Sequence, residues 1–249
     1  MCPSSSSRAD GADADTVIRV DLGPDARGLF TTRAGGVSAP PFQALNLGGA
    51  AGDDPDHVRT NRAIAAELLG GPVAYARQVH GTDVLEPGCT DGTGDALLGT
   101  GSGVGVLVAD CVPVLLAGPG LVAAVHAGRR GLLAGVVQNA LAAMQARGAG
   151  ASHAVIGPAI CGRCYEVPAH LRADAEAVDP ALGGTTSWGT PSIDLAAGVA
   201  AVLHRARVPH IDDVGLCTYE DRRFYSYRRD GRTGRFAGLV ALGGRDTPR

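Results

Sequence analysis

Aromatic residues are scarce in this chain, 4% of 249, and tryptophan occurs once. With 37 glycines and abundant alanine, a core must be built from aliphatic side chains on short strands joined by tight turns. No apolar stretch runs the roughly 18 residues of a membrane-spanning helix without Gly, Pro or charge, so no membrane-spanning helix is expected over these residues. The N-terminus lacks the apolar segment of a signal peptide. A net charge of −3 and the absence of a basic run exclude a nucleic-acid groove as the main surface, so the expected partner is a small molecule. No linker-like change of composition follows the first fifteen residues. One domain over 16–249 is expected after a polar, low-complexity tail, 1–15, expected to be disordered. The expected compartment is the cytoplasm, where the six cysteines stay reduced and become candidates for metal binding or catalysis rather than staples.

What the chain does contain is organised around 103–131, GVGVLVADCVPVLLAGPGLVAAVHAGRRG. Two apolar runs flank a Gly-Pro-Gly break and read as a β-hairpin. A four-residue loop, Ala117 to Gly120, places Cys111 directly opposite His126, with Cβ atoms about 4.5–5.5 Å apart. A three-residue loop would put the two on opposite faces. After His126, the residues Leu132, Leu133, Val136, Val137, Ala140, Leu141 and Met144 follow helical spacing, with Gly148 as the stop. The Ala-Gly-Arg-Arg-Gly turn then brings Arg129 and Arg130 to a helix start, which suits an anion.

Upstream, Thr16 to Val20 and Gly28 to Thr32 read as paired strands. Arg33 follows on a Gly-rich loop, a candidate anion clamp or simply a solvated arginine. Asp54 as N-cap, Pro55 at the first helical position and Gly70 beyond the end mark a helix of about fifteen residues, with His57 at its surface. The alternating run from Val73 to Val79 reads as a strand that ends at His80 before Gly81. Residues 86–103 form a glycine-rich segment, and Cys89 and Asp95 are placed on a surface loop. No GxGxxG opens a helix there in the manner of a dinucleotide site.

Downstream, His153 to Ile156 reads as a strand, followed by Cys161-Gly162-Arg163-Cys164. No second CxxC completes a structural zinc site, so this pair is expected to pack rather than to bind. Helices are expected over 168–180 and from Asp194 onward, the latter with Leu195, Val199, Val202 and Leu203 inward. The C-terminal segment reads as two strands about Asp230-Gly231, with Arg228, Arg229, Arg232 and Arg235 on a solvated face.

His80, Cys111 and His126 form the sharpest constellation. Two imidazoles and a thiolate suit Zn²⁺, and three ligands leave a fourth position open, as catalytic sites do. A Cys111–His126 nucleophile pair and plain packing are the competing readings.

The runs FTTRAGGVS, NLGG, DDPDHVRTNR, RQVHGTDV, LVADCVPVLL, AAVHAGRRG, IGPAICGRCYEV and CTYEDRRFYSYRRDG, in that order, resemble the bacterial laccase-domain family. Its members are variously called multicopper polyphenol oxidoreductases, purine nucleoside phosphorylases and peptidoglycan editing factors. The resemblance implies an α+β fold, a sandwich of two mixed β-sheets flanked by helices (CNF/YfiH-like), and metal ligands at His80, Cys111 and His126. It implies a zinc enzyme, with copper as the alternative ion, acting on purine nucleosides and phosphate. The reactions implied are phosphorolysis of adenosine, inosine, guanosine or methylthioadenosine, and deamination of adenosine. Peptidoglycan precursor editing and copper polyphenol oxidation are the alternatives. The candidate substrate and phosphate contacts are Arg33, Asn46, Gln78, Arg129, Arg130 and Glu166, with Glu166 or Asp110 as proton carrier. A monomer or homodimer is expected. The chain departs from the family pattern at Arg129, where relatives commonly have tryptophan, so added positive charge replaces a stacking ring.

Overall fold

A computed structural model describes residues 17–86, 88 and 92–243. The readings made for residues 1–15 and for Cys89 lie outside the described residues.

The apolar runs become strands buried on both sides. Strands β1 (Val17–Val20), β2 (Ala26–Thr31), β3 (Val73–Tyr75), β6 (Gly103–Val108) and β13 (Phe236–Leu242) form a five-stranded sheet in the order β1-β2-β13-β6-β3. A six-stranded sheet has the order β12-β9-β7-β8-β5-β4. It comprises β4 (Val84–Leu85), β5 (Ala96–Gly99), β7 (Val112–Gly118), β8 (Leu121–Ala127), β9 (His153–Ile156) and β12 (His210–Asp213). A two-stranded ribbon, β10 (Gly183–Thr185) with β11 (Pro191–Ile193), lies apart from both sheets. Both large sheets mix parallel and antiparallel pairs, for β3 runs parallel to β6 and β9 parallel to β12.

The period of two within a strand divides the core into layers. Phe30, Val104, Val106 and Val240 of the first sheet meet Leu97, Leu115, Val122 and Val155 of the second, and fill the space between them. Alternate residues, Val114, Leu116, Ala123 and Val125, face the other way against helices α3 (Val136–Ala146), α4 (Ala169–Val178) and α5 (Leu195–Arg205). The outer face of the five-stranded sheet, Leu29, Leu239 and Ala241, is covered by Ala65 and Leu69 of α1 (Pro55–Leu69). The result is a helix–sheet–sheet–helix sandwich, and every residue of β7 and β8 is buried. Strands covered on both faces read as continuous apolar runs, which is why alternation is absent there.

Several elements depart from the sequence reading. The hairpin loop is shorter than expected: Gly118 pairs with Leu121, leaving Pro119-Gly120 as a two-residue turn with Gly120 at φ 68°. His126 therefore pairs with Pro113, and Cys111 lies just before the strand instead of opposite the histidine. Because the register moves by two, an even number, Cys111 and His126 still share a face. The apolar run ahead of the hairpin is also cut in two. Ala109 to Cys111 carry the chain from β6 in one sheet to β7 in the other, and Asp110, at φ 91°, makes that corner.

The expected single helix after His126 is broken by Gly135 at φ 99° into α2 (Arg129–Ala134) and α3. The strand expected before Asp230-Gly231 is replaced by turns and by α6 (Tyr227–Asp230), whose N-cap Ser226 accepts from the Arg229 amide. Helix α1 begins and ends as read, with Asp54 accepting from Asp56 and Gly70 in the left-handed conformation. No helix among the described residues is long and apolar enough to cross a membrane.

Candidate metal centre and substrate cavity

The three central side chains come from two places where the chain crosses between sheets and from the end of one buried strand. Cys111 closes the β6–β7 corner, His126 is the last residue but one of β8, and His80 lies on the crossing from β3 to β4. His80 is not at a strand end, since β3 stops at Tyr75; it occupies a bend at φ 60°. Two non-glycine residues with positive φ, His80 and Asp110, thus sit within one site. Such backbone strain persists where the surrounding structure holds it.

Nitrogen and sulfur donor atoms of His80, Cys111 and His126 lie within 4.8 Å of one another. Cys111 Sγ is 3.7 Å from His80 Nε2, and the two imidazole rings meet edge to face at 4.7 Å between centroids. His126 is 3% exposed, Cys111 half-buried and His80 exposed, so the set is closed on the core side and open on the other. Gly128 makes this approach possible: a Cβ there would lie 2.6 Å from the His80 ring and 3.1 Å from Cys111 Sγ.

Asp95 is the residue that sequence reasoning misplaced. Expected on a surface loop, it is fully buried immediately before β5. His126 Nδ1 donates to its carboxylate at 2.7 Å, which leaves Nε2 of that ring for a metal. The same carboxylate accepts the backbone N–H groups of Val79 at 3.2 Å, His80 at 2.9 Å and Gly81 at 2.7 Å. One side chain therefore orients one imidazole and fixes the bend that carries the other. The only sequence signal was an aspartate directly before a short apolar run, which is common in turns.

Burial opposes ionisation of Cys111, but the adjoining His126 and His80 outweigh it and bring the thiol down to about 6. Burial likewise works against a charged His126, and the Cys111 thiolate with Asp95 overcomes it, raising the imidazole to about 9. Without metal the two form an ion pair between these limits. The thiolate's contribution is lost as pH falls through 6, the imidazolium's as pH rises through 9. In metal-stripped protein the iodoacetamide reactivity of Cys111 should therefore rise with a midpoint near pH 6. His126→Ala should move that midpoint up toward the ordinary thiol range. A wild-type midpoint above 8 would contradict the pairing.

The open side of the centre faces a cavity of about 860 Å³. Its wall carries the arginines Arg62, Arg77, Arg129, Arg228 and Arg235, the tyrosines Tyr75, Tyr165 and Tyr227, and apolar Leu107 and Ile160. Arg228 lies over the Tyr165 ring at 5.0 Å, and its Nη1 donates to the Glu166 carbonyl at 2.7 Å. Burial pulls Arg235 below its ordinary value, opposed by the charges of Cys111 and Asp110. Of the four arginines expected on a solvated face, Arg228 and Arg232 are exposed, Arg228 on the cavity's rim and Arg232 donating to the Gly52 carbonyl at 3.1 Å. Arg235 is part-buried in the cavity wall, and Arg229 donates to the carbonyls of Thr218, Tyr219 and Phe224.

The sequence candidates divide on this geometry. Gln78 and Arg129 line the cavity, the Gln78 amide donating to and accepting from the Leu107 backbone at 2.8 Å. Asn46 is buried behind the Gly48–Ala51 wall, where it accepts from Gly48 N and Arg235 N and donates to Asp53. Arg33 lies elsewhere, its Nε on the Gln43 carbonyl and its guanidinium over Tyr225. Arg130 donates to the Val79 carbonyl, and the Glu166 carboxylate accepts from Trp188 at 2.7 Å, both outside the cavity lining. Asp110 lines the cavity, but its two carboxylate oxygens accept from Thr218 Oγ1 at 2.7 Å and Arg228 N at 2.6 Å.

Residues 27–243 match the family described as multi-copper polyphenol oxidoreductase laccase. A purine nucleoside phosphorylase of Streptomyces coelicolor is 50% identical over 86% of this chain and 94% of its own length. One from Mycobacterium tuberculosis is 47% identical over 86% and 91%. Among solved structures, a Neisseria meningitidis protein of family DUF152 superposes with a TM-score of 0.83 at 37% identity, covering 92% of this chain and all of that one.

Proposed function

The chain belongs to the multi-copper polyphenol oxidoreductase laccase family, and from that premise we propose that it is a metal-dependent purine nucleoside phosphorylase. The observation that carries this reading is a three-donor centre opening directly into an arginine-lined cavity. Relatives at up to 50% identity bear the name purine nucleoside phosphorylase, which supports nucleoside and phosphate as the substrates.

The donor set fits a borderline-soft divalent ion. His80, Cys111 and His126 would hold it, with Asp95 fixing the His126 tautomer. Zinc, or copper in its place, supplies Lewis acidity when bound there, which serves phosphorolysis of adenosine, inosine, guanosine or methylthioadenosine and the deamination of adenosine by water. Polyphenol oxidation by a copper cluster is disfavoured by the same donors. His80 and His126 are the histidines of the cavity wall among the described residues, enough for one ion and not for several.

The residues of this chain divide the remaining work. Arg129 and Arg228 flank Tyr165, so phosphate is held by guanidinium groups beside a ring on which a purine can stack. Arg129 stands where the family resemblance implies a tryptophan, so charge replaces an aromatic surface there. Arg129→Ala should raise the phosphate KM by about tenfold, the loss of one charge-assisted hydrogen bond, while bound metal stays unchanged. An unaltered phosphate KM would remove Arg129 from the phosphate seat.

Incubation with adenosine and phosphate, followed by separation of adenine, inosine and ribose 1-phosphate, tests the reading. Wild-type protein should release adenine and ribose 1-phosphate together. Equal release by the Cys111→Ala variant would sink the assignment to this centre.

A further inference from the structure

A second group of metal-ligating side chains lies beside the cavity. Cys161 and Cys164, expected from the sequence to pack, converge with Cys217 and Glu220, and one donor atom from each lies within 4.8 Å of all the others. Two tight turns face one another. In the first, the Cys164 and Tyr165 amides donate to the Cys161 carbonyl at 2.9 and 3.0 Å; in the second, the Asp221 amide donates to the Cys217 carbonyl at 2.8 Å. The spacing is Cys-x-x-Cys in one turn and Cys-x-x-Glu in the other. The missing partner of the CxxC is thus a cysteine and a glutamate rather than a second cysteine pair.

Within the group the donors already touch one another. Cys164 Sγ is 3.3 Å from Glu220 Oε1, and the Cys161 amide donates to Cys217 Sγ at 3.4 Å. All three cysteines are free thiols, with Cys164 and Cys217 buried and Cys161 half-buried. Four thiolate or carboxylate donors around zinc at about 2.3 Å from sulfur stand roughly 3.8 Å apart at the corners of a tetrahedron. Donors already within 4.8 Å reach that arrangement by side-chain adjustment alone. The Cys164 thiol donates to the exposed Glu220 carboxylate, and that hydrogen bond accounts for one contact. It does not account for three sulfur atoms from two separate turns converging on the same point, which is the arrangement a tetrahedral ion uses. Arg163, 3.5 Å from Glu220, is placed to offset the negative excess of a three-thiolate, one-carboxylate site.

We propose that Cys161, Cys164, Cys217 and Glu220 bind a structural zinc ion, distinct from the centre at His80, Cys111 and His126. Binding displaces the thiol protons to solvent and leaves no open position, so this ion braces rather than reacts. What it braces is one wall of the cavity. Ile160 and Tyr165, on either side of the first turn, line the cavity. Thr218, next to Cys217, donates to Asp110 at the corner that carries Cys111, and the Ile160 amide donates to the Asp110 carbonyl at 3.0 Å. The proposal does not depend on the nucleoside reading, since its readout is metal and thiol chemistry.

The test uses full-length protein purified with zinc under reductant. Elemental analysis of a His80→Ala, Cys111→Ala, His126→Ala variant should find one zinc per chain where wild type holds two. Cobalt substituted into that variant should show thiolate-to-metal charge-transfer absorption. Adding Cys164→Ser and Cys217→Ser should remove both signals. A folded triple variant that holds no zinc and binds none when supplied would overturn the proposal. Differential alkylation of wild type decides independently of whether the variants fold. Cys161, Cys164 and Cys217 should be protected until a chelator is added, and equal labelling with and without chelator would count against the site.

Discussion

Cys111→Ala is expected to cost about 10³-fold in kcat/KM on adenosine, or about 4 kcal/mol of transition-state stabilisation. It should also empty the centre of its metal, because two imidazoles that do not share a rigid loop make a weak site. Cys111 lies outside the strand ladder and the layer between the sheets, so the fold should survive. It packs against the cluster of Val108, Phe224 and Phe236 and pairs with His126, however, so metal-free variant should melt below metal-free wild type between pH 6 and 9. Turnover within tenfold of wild type would move the reaction away from this centre.

Asp95 carries the second large effect. Its carboxylate accepts from His126 and from three consecutive backbone N–H groups, and it is fully buried. Asp95→Asn retains the size but replaces an acceptor oxygen with a donor facing donors. Metal affinity should fall about 10–100-fold, as for other residues that orient a ligand from behind. Asp95→Ala should go further, leaving the buried His126 donor unpartnered at about 1–3 kcal/mol and freeing the part-buried N–H groups of Val79, His80 and Gly81 to water. Thermal or urea unfolding of the metal-free variants reads the stability loss, and competition with a zinc chelator reads the affinity. Wild-type affinity in Asp95→Asn would mean that His126 is oriented by packing alone.

The layers of the sandwich were legible because their signals are local. Asp54, Pro55 and Gly70 bound a helix wherever it packs, and doubly covered strands such as β7 and β8 read as unbroken apolar runs. The same lack of alternation hid the corner at Asp110, where one apolar run passes between sheets, since neither residue size nor hydrophobicity changes across it. The hairpin register was beyond the sequence for a related reason, as the Gly-Pro-Gly break is compatible with turns of two, three or four residues.

Within the site, the chemistry of His80, Cys111 and His126 could be named from residue types, and the family resemblance supplied their grouping. The parts that hold them could not. Asp95 looks like any turn aspartate until its four donors are seen. Cys217 and Glu220 stand more than fifty residues from Cys161 and Cys164 and are brought to them by long-range contacts, among them the bridge of Ala159 with Cys217. Arg235 resembled part of a solvated basic cluster because α6 and the turn before it have no apolar periodicity to mark the side that faces the cavity.

Phosphorus NMR of the wild-type protein with adenosine and inorganic phosphate is the most direct test of the central claim. Phosphorolysis at the centre requires a ribose 1-phosphate signal to grow as inorganic phosphate declines, in step with free adenine, and to vanish in Cys111→Ala. Adenine release that proceeds equally without phosphate, or no release from metal-replete protein, would contradict it.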